Sequence, residues 1–285
     1  MTFAHHGDVA IYYDTFGRSS DSPLLLISGL GSQCINYREE MCERLAAGGY
    51  FVIRFDNRDV GLSSKMDDRK MIAGAKGVGA PYLLSDMARD GLAVLDALGI
   101  ERAHVLGASL GGMIAQTMAI EHAERLRTLT SFMSTTGDPG VGRSSPQAHQ
   151  HFTSARAHDR DSYVALQIAS ARVWGSPACL NVEYRAAIAA EAFDRNFCPT
   201  GIGRQLLAIQ HSGSRTTALG AVRVPTLVLH GDADQLIDAS GGRRTADAIP
   251  GARFTLIEGL GHDYPPYYWD RLIGLVHAHV GEIRE

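Results

Sequence analysis

Short apolar runs alternate along this chain with longer stretches that carry helical spacing. Leu24 to Ser28 and Phe51 to Phe55 are almost uninterrupted apolar runs. Runs that do not alternate with polar residues predict strands buried on both faces. Val9 to Thr15 does alternate, which predicts an edge strand. Glu39 to Ala47 has helical spacing. So does Leu83 to Leu98, which stops at Gly99, a residue suited to ending a helix. Ala103 to Leu106, Leu126 to Met133 and Val224 to Leu229 continue the series of strand-like runs. Strands and helices in alternation predict an α/β fold, with a mostly parallel sheet covered by helices on both faces.

The pattern changes between about Thr135 and Ala221. Pro139, Gly140, Gly142 and Pro146 open this segment, and Tyr163 to Trp174 and Val182 to Phe193 read as helices. No strand-like run interrupts it, and the sheet pattern resumes at Val224. The expected organisation is a core of residues 1–134 and 222–285, with a helical cap of residues 135–221 inserted after the sixth strand. A chain of 285 residues is long enough for one large core.

Candidate chemistry begins at Gly107-Ala108-Ser109-Leu110-Gly111, set between a strand-like and a helix-like run. This is the context of a nucleophile elbow, where a strand turns sharply into a helix and exposes one serine. Small flanking residues let the turn close. The free N–H groups at the helix start favour negative charge beside the serine. Two acids, Asp232 and Asp234, follow the strand-like run Val224 to Leu229, and His262 follows Gly259-Leu260-Gly261. The chain order Ser, Asp, His is one of the known triad orders, distinct from the His, Asp, Ser and Asp, His, Ser orders of the chymotrypsin and subtilisin folds, and each residue falls past the end of a strand. From the residues alone either aspartate fits as the acid. The backbone N–H of Leu110 is the expected oxyanion donor, and a second donor belongs to the loop Ser28-Gly29-Leu30-Gly31.

Taken together, the Leu24–Gly31 and Arg54–Ser63 segments, the elbow, and the Asp234 and His262 segments resemble the α/β-hydrolase fold serine hydrolases. Within them the chain most resembles the branch of aclacinomycin methylesterases and serine-dependent macrolide esterases, because Arg58-Asp59-Val60-Gly61-Leu62-Ser63 replaces the usual Arg-Gly form. The resemblance implies Asp234 as the acid, four residues after His230, and Leu30 N–H as the second oxyanion donor. Many relatives carry His-Gly where this chain has Ser28-Gly29. Arg58, Asp59 and Ser63 are expected to brace the loops around the site. Ser109 argues against epoxide hydrolase and haloalkane dehalogenase chemistry, which use an aspartate nucleophile. The implied activity is hydrolysis of a carboxylic ester or lactone through an acyl-enzyme, on a bulky polyketide such as a macrolide. Alternatives are a methylesterase or small-ester carboxylesterase, a carbon–carbon hydrolase, thioesterase or perhydrolase, and a hydrolase-like lactone receptor. A bulky ligand needs apolar burial. Trp174, Phe193, Phe197, Leu206 and Leu207 are the candidate lining of the cap, set against their forming the cap's own core.

The net charge of −4 comes without a basic block, so neither nucleic acid nor a membrane surface is an expected partner. No apolar stretch reaches the length of a membrane span, and the N-terminus lacks a signal-like apolar run. Cys34, Cys42, Cys179 and Cys198 show neither metal-ligand spacing nor a secreted framework. A cytoplasmic enzyme without cofactor or metal is the expectation.

Overall fold

The computed structural model describes residues 1–66, 79–154 and 156–281. Eight strands form one sheet: β1 (Thr2–His6), β2 (Val9–Phe16), β3 (Ser22–Ile27), β4 (Tyr50–Phe55), β5 (Ala103–Ala108), β6 (Leu126–Phe132), β7 (Thr226–Gly231) and β8 (Arg253–Ile257). Their order is β1-β2-β4-β3-β5-β6-β7-β8. β1 and β2 run antiparallel, as do β2 and β4, and every other pairing is parallel. The expected edge at Val9 to Thr15 is therefore corrected. β1 pairs along its outer side, from Thr2 opposite Tyr13 to His6 opposite Val9. The sequence Thr-Phe-Ala-His-His hid this strand, because only Ala4 of it is buried.

The continuous apolar runs have a direct explanation. Leu25, Ile27, Ile53, Phe55 and Val105 face one hydrophobic layer, shared with α2 (Leu84–Ala97) and α3 (Leu110–Glu121). Leu24, Leu26, Val52 and Leu106 face the other, shared with α1 (Glu39–Ala47) and α10 (Trp269–Gly281). Successive strand residues point to opposite faces, so a sheet covered on both sides needs apolar residues at every position. β3 lies between β4 and β5. The chain leaves it to one side and later returns on the other, and ligands bind at the carboxyl end of such a switch point.

Between β6 and β7 the chain forms α4 (Pro146–Ser154), α5 (Arg160–Trp174), α6 (Val182–Arg195), α7 (Pro199–Ser212) and the short α8 (Thr216–Leu219). α9 (Ala239–Ala248) then follows β7. The insertion has few buried residues: α5 buries only Ser170 and Ala171, whereas α3 buries everything from Leu110 to Ala119. Polar side chains hold it to the core instead. Arg195 of α6 meets Asp56 at 2.7 Å, and Arg204 of α7 grips Asp59 through two nitrogens at 2.9 Å. Both carboxylates lie on the turn after β4. In the same turn Arg58 is fork-bound to Asp90 at 2.6 and 2.7 Å, and Ser63 donates to the Asp56 carbonyl at 2.6 Å. The segment thus braces loops, as its sequence led us to expect. Among the described residues no helix is long and apolar enough to cross a membrane.

Candidate active site

Ser109 links β5 to α3 with φ 57° and ψ −117°, a backbone conformation rare for a residue with a side chain. Such a conformation costs about 1–3 kcal/mol and persists only when its surroundings over-determine it. Here they do. A Cβ on Gly107 would overlap the Gly111 carbonyl, one on Gly111 would overlap the Ile27 carbonyl, and one on Gly112 would come within 2.5 Å of Ser134 Cβ. The glycines therefore allow α3 to start flush against the end of β3. Ser109 N–H donates to Phe132 O at 2.9 Å, and Ser134 Oγ donates to Ser109 O at 2.8 Å, fixing both sides of the turn.

His262 comes from the loop after β8, and Asp234 from the turn after β7. His262 Nε2 lies 3.0 Å from Ser109 Oγ, and His262 Nδ1 lies 2.7 Å from Asp234 Oδ2. With the proton on Nδ1 facing the carboxylate, Nε2 is left to accept from the serine hydroxyl. Asp234 Oδ1 accepts from the backbone N–H of Leu236 and Ile237, both at 2.9 Å. Burial would raise the Asp234 carboxyl, but His262 and His230 outweigh it and hold the group well below the usual carboxylate range. Asp232 stands elsewhere. It is exposed and accepts from Gly259 N–H at 2.7 Å, which closes the turn after β8.

The loop after β3 lies beside the serine. A Cβ built on Gly29 would stand 3.3 Å from Ser109 Cβ, so glycine lets the two segments touch. The N–H groups of Leu30 and Leu110 have no acceptor among the described residues, which leaves two donors free near the serine turn. Ser28, beside Gly29, makes two contacts. Its carbonyl accepts from Asn57 Nδ2 at 3.0 Å, and its hydroxyl makes only a long 3.4 Å contact with Gln33 O.

The apolar candidates of the insertion separate into three places. Phe193 and Phe197 stack 4.7 Å apart and share Tyr163 as a neighbour. Trp174 packs against His151 with centroids 5.2 Å apart, and its carbonyl accepts the His262 N–H at 2.6 Å. Leu206 and Leu207 are half-buried on α7.

Sequence reasoning missed the polar residues that join the insertion to the site. Gln205, fully buried on α7, accepts from Gly31 N–H and donates to Arg58 O, both at 2.9 Å. Gln33 donates to Ala192 O at 2.6 Å and accepts from Arg195 at 2.6 Å. Nothing local in the sequence marks these two glutamines, because the partners of their side chains lie 147 to 174 residues away.

Residues 22–264 match the family model of the alpha/beta hydrolase fold, and the chain belongs to that family. It is 30% identical to the rhodomycin D methylesterase DauP of Streptomyces sp. (strain C5), over 95% of each chain. Identity and coverage are the same for the rhodomycin D methylesterase DnrP of Streptomyces peucetius. Among solved structures, the meta-cleavage product hydrolase CumD of Pseudomonas fluorescens IP01 superposes with a TM-score of 0.79 at 19% identity. That match covers 100% of this chain and 98% of that one. The protein is an ester hydrolase of the alpha/beta hydrolase family.

Proposed function

We propose that the protein hydrolyses a carboxylic ester of a bulky polyketide through a serine-bound acyl-enzyme. The observation that carries this reading is the unbroken line Ser109 Oγ, His262 Nε2, His262 Nδ1, Asp234 Oδ2, with steps of 3.0 and 2.7 Å. A serine hydroxyl is a weak nucleophile at neutral pH and needs an adjacent base. Ser109 Oγ attacks the ester carbonyl while its proton passes to His262 Nε2. Asp234 holds the imidazole tautomer and stabilises the imidazolium. The carbonyl oxygen, now negative, takes hydrogen bonds from the N–H groups of Leu30 and Leu110. The C–O bond to the alcohol breaks, and His262 returns the proton to the leaving oxygen. Water then repeats the sequence on the acyl-serine, releasing the acid and restoring Ser109.

Residues 135–221 act in this reading as a cap over the serine, and Trp174, Phe193, Phe197, Leu206 and Leu207 supply its apolar surface. Likeness to two rhodomycin D methylesterases over 95% of the chain favours a methyl ester as the bond cleaved, with methanol leaving. The lactone of a macrolide, which the sequence resemblance favoured, undergoes the same chemistry. The four free cysteines accord with a cytoplasmic setting. The deciding experiment incubates the enzyme with an anthracycline methyl ester, macrolides of several ring sizes and p-nitrophenyl acetate, and reads product masses. A methyl ester that loses one CH₂ unit over many turnovers supports the favoured reading. A macrolide that gains one water, with the methyl ester untouched, replaces it with the lactone. Turnover of p-nitrophenyl acetate alone would refute the bulky substrate.

A further inference from the structure

The loop that carries His262 is held from two sides. Asp234 and Ser109 engage the ring, whereas the backbone around it is fastened to the corner between α5 and α6. His262 N–H donates to Trp174 O at 2.6 Å, and Gly261 N–H donates to Ser176 Oγ at 2.9 Å. Asp263 closes the loop from its other end. Its Oδ1 accepts from Ser176 N–H at 3.0 Å and from Ser176 Oγ–H at 2.6 Å, and its Oδ2 pairs with Arg185 of α6. Two glycines make this approach possible. A Cβ on Gly261 would overlap the Gly175 backbone, and a Cβ on Gly175 would stand 2.9 Å from Asp263 Oδ2.

We infer that Asp263 is a positioning residue: through Ser176 and Arg185 it clasps the Gly261–Asp263 loop to the cap and keeps His262 in register with Ser109. The inference rests on His262 being the base proposed above. The Asp263 carboxylate is spent entirely on Ser176 and Arg185, so it does not compete with Asp234 for the imidazole. The clasp also joins two functions. Seating of the α5–α6 corner and placement of the base become one event, because the same Ser176 hydroxyl touches both Gly261 and Asp263. A 3.0 Å hydrogen bond leaves little slack. A misplacement of about 1 Å can reduce turnover by about 100-fold.

The test uses p-nitrophenyl acetate, a substrate too small to need the cap's walls. Active sites are titrated with a p-nitrophenyl phosphonate, so that misfolded protein drops out of the rate. Asp263→Ala is expected to lower kcat per titrated site by about 10- to 100-fold. KM should stay within about threefold, and the downfield proton resonance of the His262–Asp234 hydrogen bond should be weakened. Ser176→Ala should lose less, and Asp263→Asn, which retains the acceptor for Ser176, least. These two variants decide the matter if Asp263→Ala does not fold. A kcat per titrated site within twofold of the parent, with the resonance intact, overturns the inference even if the variant melts earlier. His262→Ala is the control: if it retains turnover, the base assignment itself has failed, a different outcome from an inert clasp.

Discussion

The turn that presents Ser109 and the loop that presents His262 differ in how much side chains contribute to holding them. The serine turn is fixed by backbone packed on backbone: Gly107 against Gly111, Gly111 against Ile27, both inside the sheet core. Close packing of this kind tolerates no added atom, and one side-chain bond, from Ser134 Oγ to Ser109 O, completes it. The histidine loop also has a backbone bond, from His262 N–H to Trp174 O, and a close approach of Gly261 to Gly175. Most of its bonds, however, come from the side chains of Ser176, Asp263 and Arg185, so it depends on a segment with few buried residues. Under the proposed mechanism the nucleophile is thus part of the core, while its base is held by both the core and the segment between β6 and β7. Expected consequences follow in order of size.

Asp234→Asn should lower kcat by about 10⁴-fold in folded protein, because an amide favours the wrong imidazole tautomer. Asp232→Asn should change it by no more than about threefold, the scale of an ordinary surface substitution. Steady-state kinetics on both, with circular dichroism as a folding control, separates the acid from its neighbour. If Asp232→Asn proves the more damaging in folded protein, the triad is wrongly drawn.

Arg204→Leu tests the attachment of the segment between β6 and β7, the proposed cap. It leaves the Asp59 carboxylate buried and short of its cation, which costs about 3–5 kcal/mol in comparable buried pairs. Denaturant melts should show that loss, together with weaker turnover of any large ester. A stability change below about 1 kcal/mol would mean that the cap stays seated without this pair.

Gly111→Ala probes the core side. Its methyl group would overlap the Ile27 carbonyl, and the destabilisation should reach about 3 kcal/mol. Gly274→Ala in α10 is the matched control, since nothing lies within 4 Å of a Cβ there. It should be neutral or stabilise by up to about 1 kcal/mol. Equal effects at the two positions would contradict the steric account of the elbow.

The smallest effect concerns acid. Burial lowers the His104 imidazole to about 4, so the folded core holds it neutral beside Thr128 Oγ1 at 2.9 Å. An unfolded histidine titrates near 6.5. The unfolded state therefore binds the extra proton between these values. Stability is fully present above about pH 6.5 and declines as pH falls toward 4. His104→Gln should flatten the melting temperature across that window, and an unchanged slope would assign the acid sensitivity to another group.

The same division explains what the sequence revealed. Elements of the core were legible because their signals are local: the run Leu24 to Ile27, the helix Glu39 to Ala47, and Gly107 to Gly111 between strand and helix. Ser109 and His262 stand out because strand ends and chain order constrain them, whereas those signals leave Asp232 and Asp234 open and only the family resemblance singles out Asp234. β1 escaped because a strand with one buried residue carries no apolar pattern. Gln33, Gln205, Ser176 and Asp263 escaped for a different reason. Each acts across 78 residues or more, on a partner that only the folded chain brings near.

Active-site labelling decides whether Ser109 becomes acylated. A p-nitrophenyl phosphonate should release about one equivalent of p-nitrophenol per chain, following the activated-serine mechanism. Peptide mass mapping should then locate the adduct on Ser109 and on no other serine. Ser109→Ala, folded by circular dichroism, should release no burst and turn over no ester. A folded Ser109→Ala variant with near-parental activity, or an adduct on a different residue, would contradict the account.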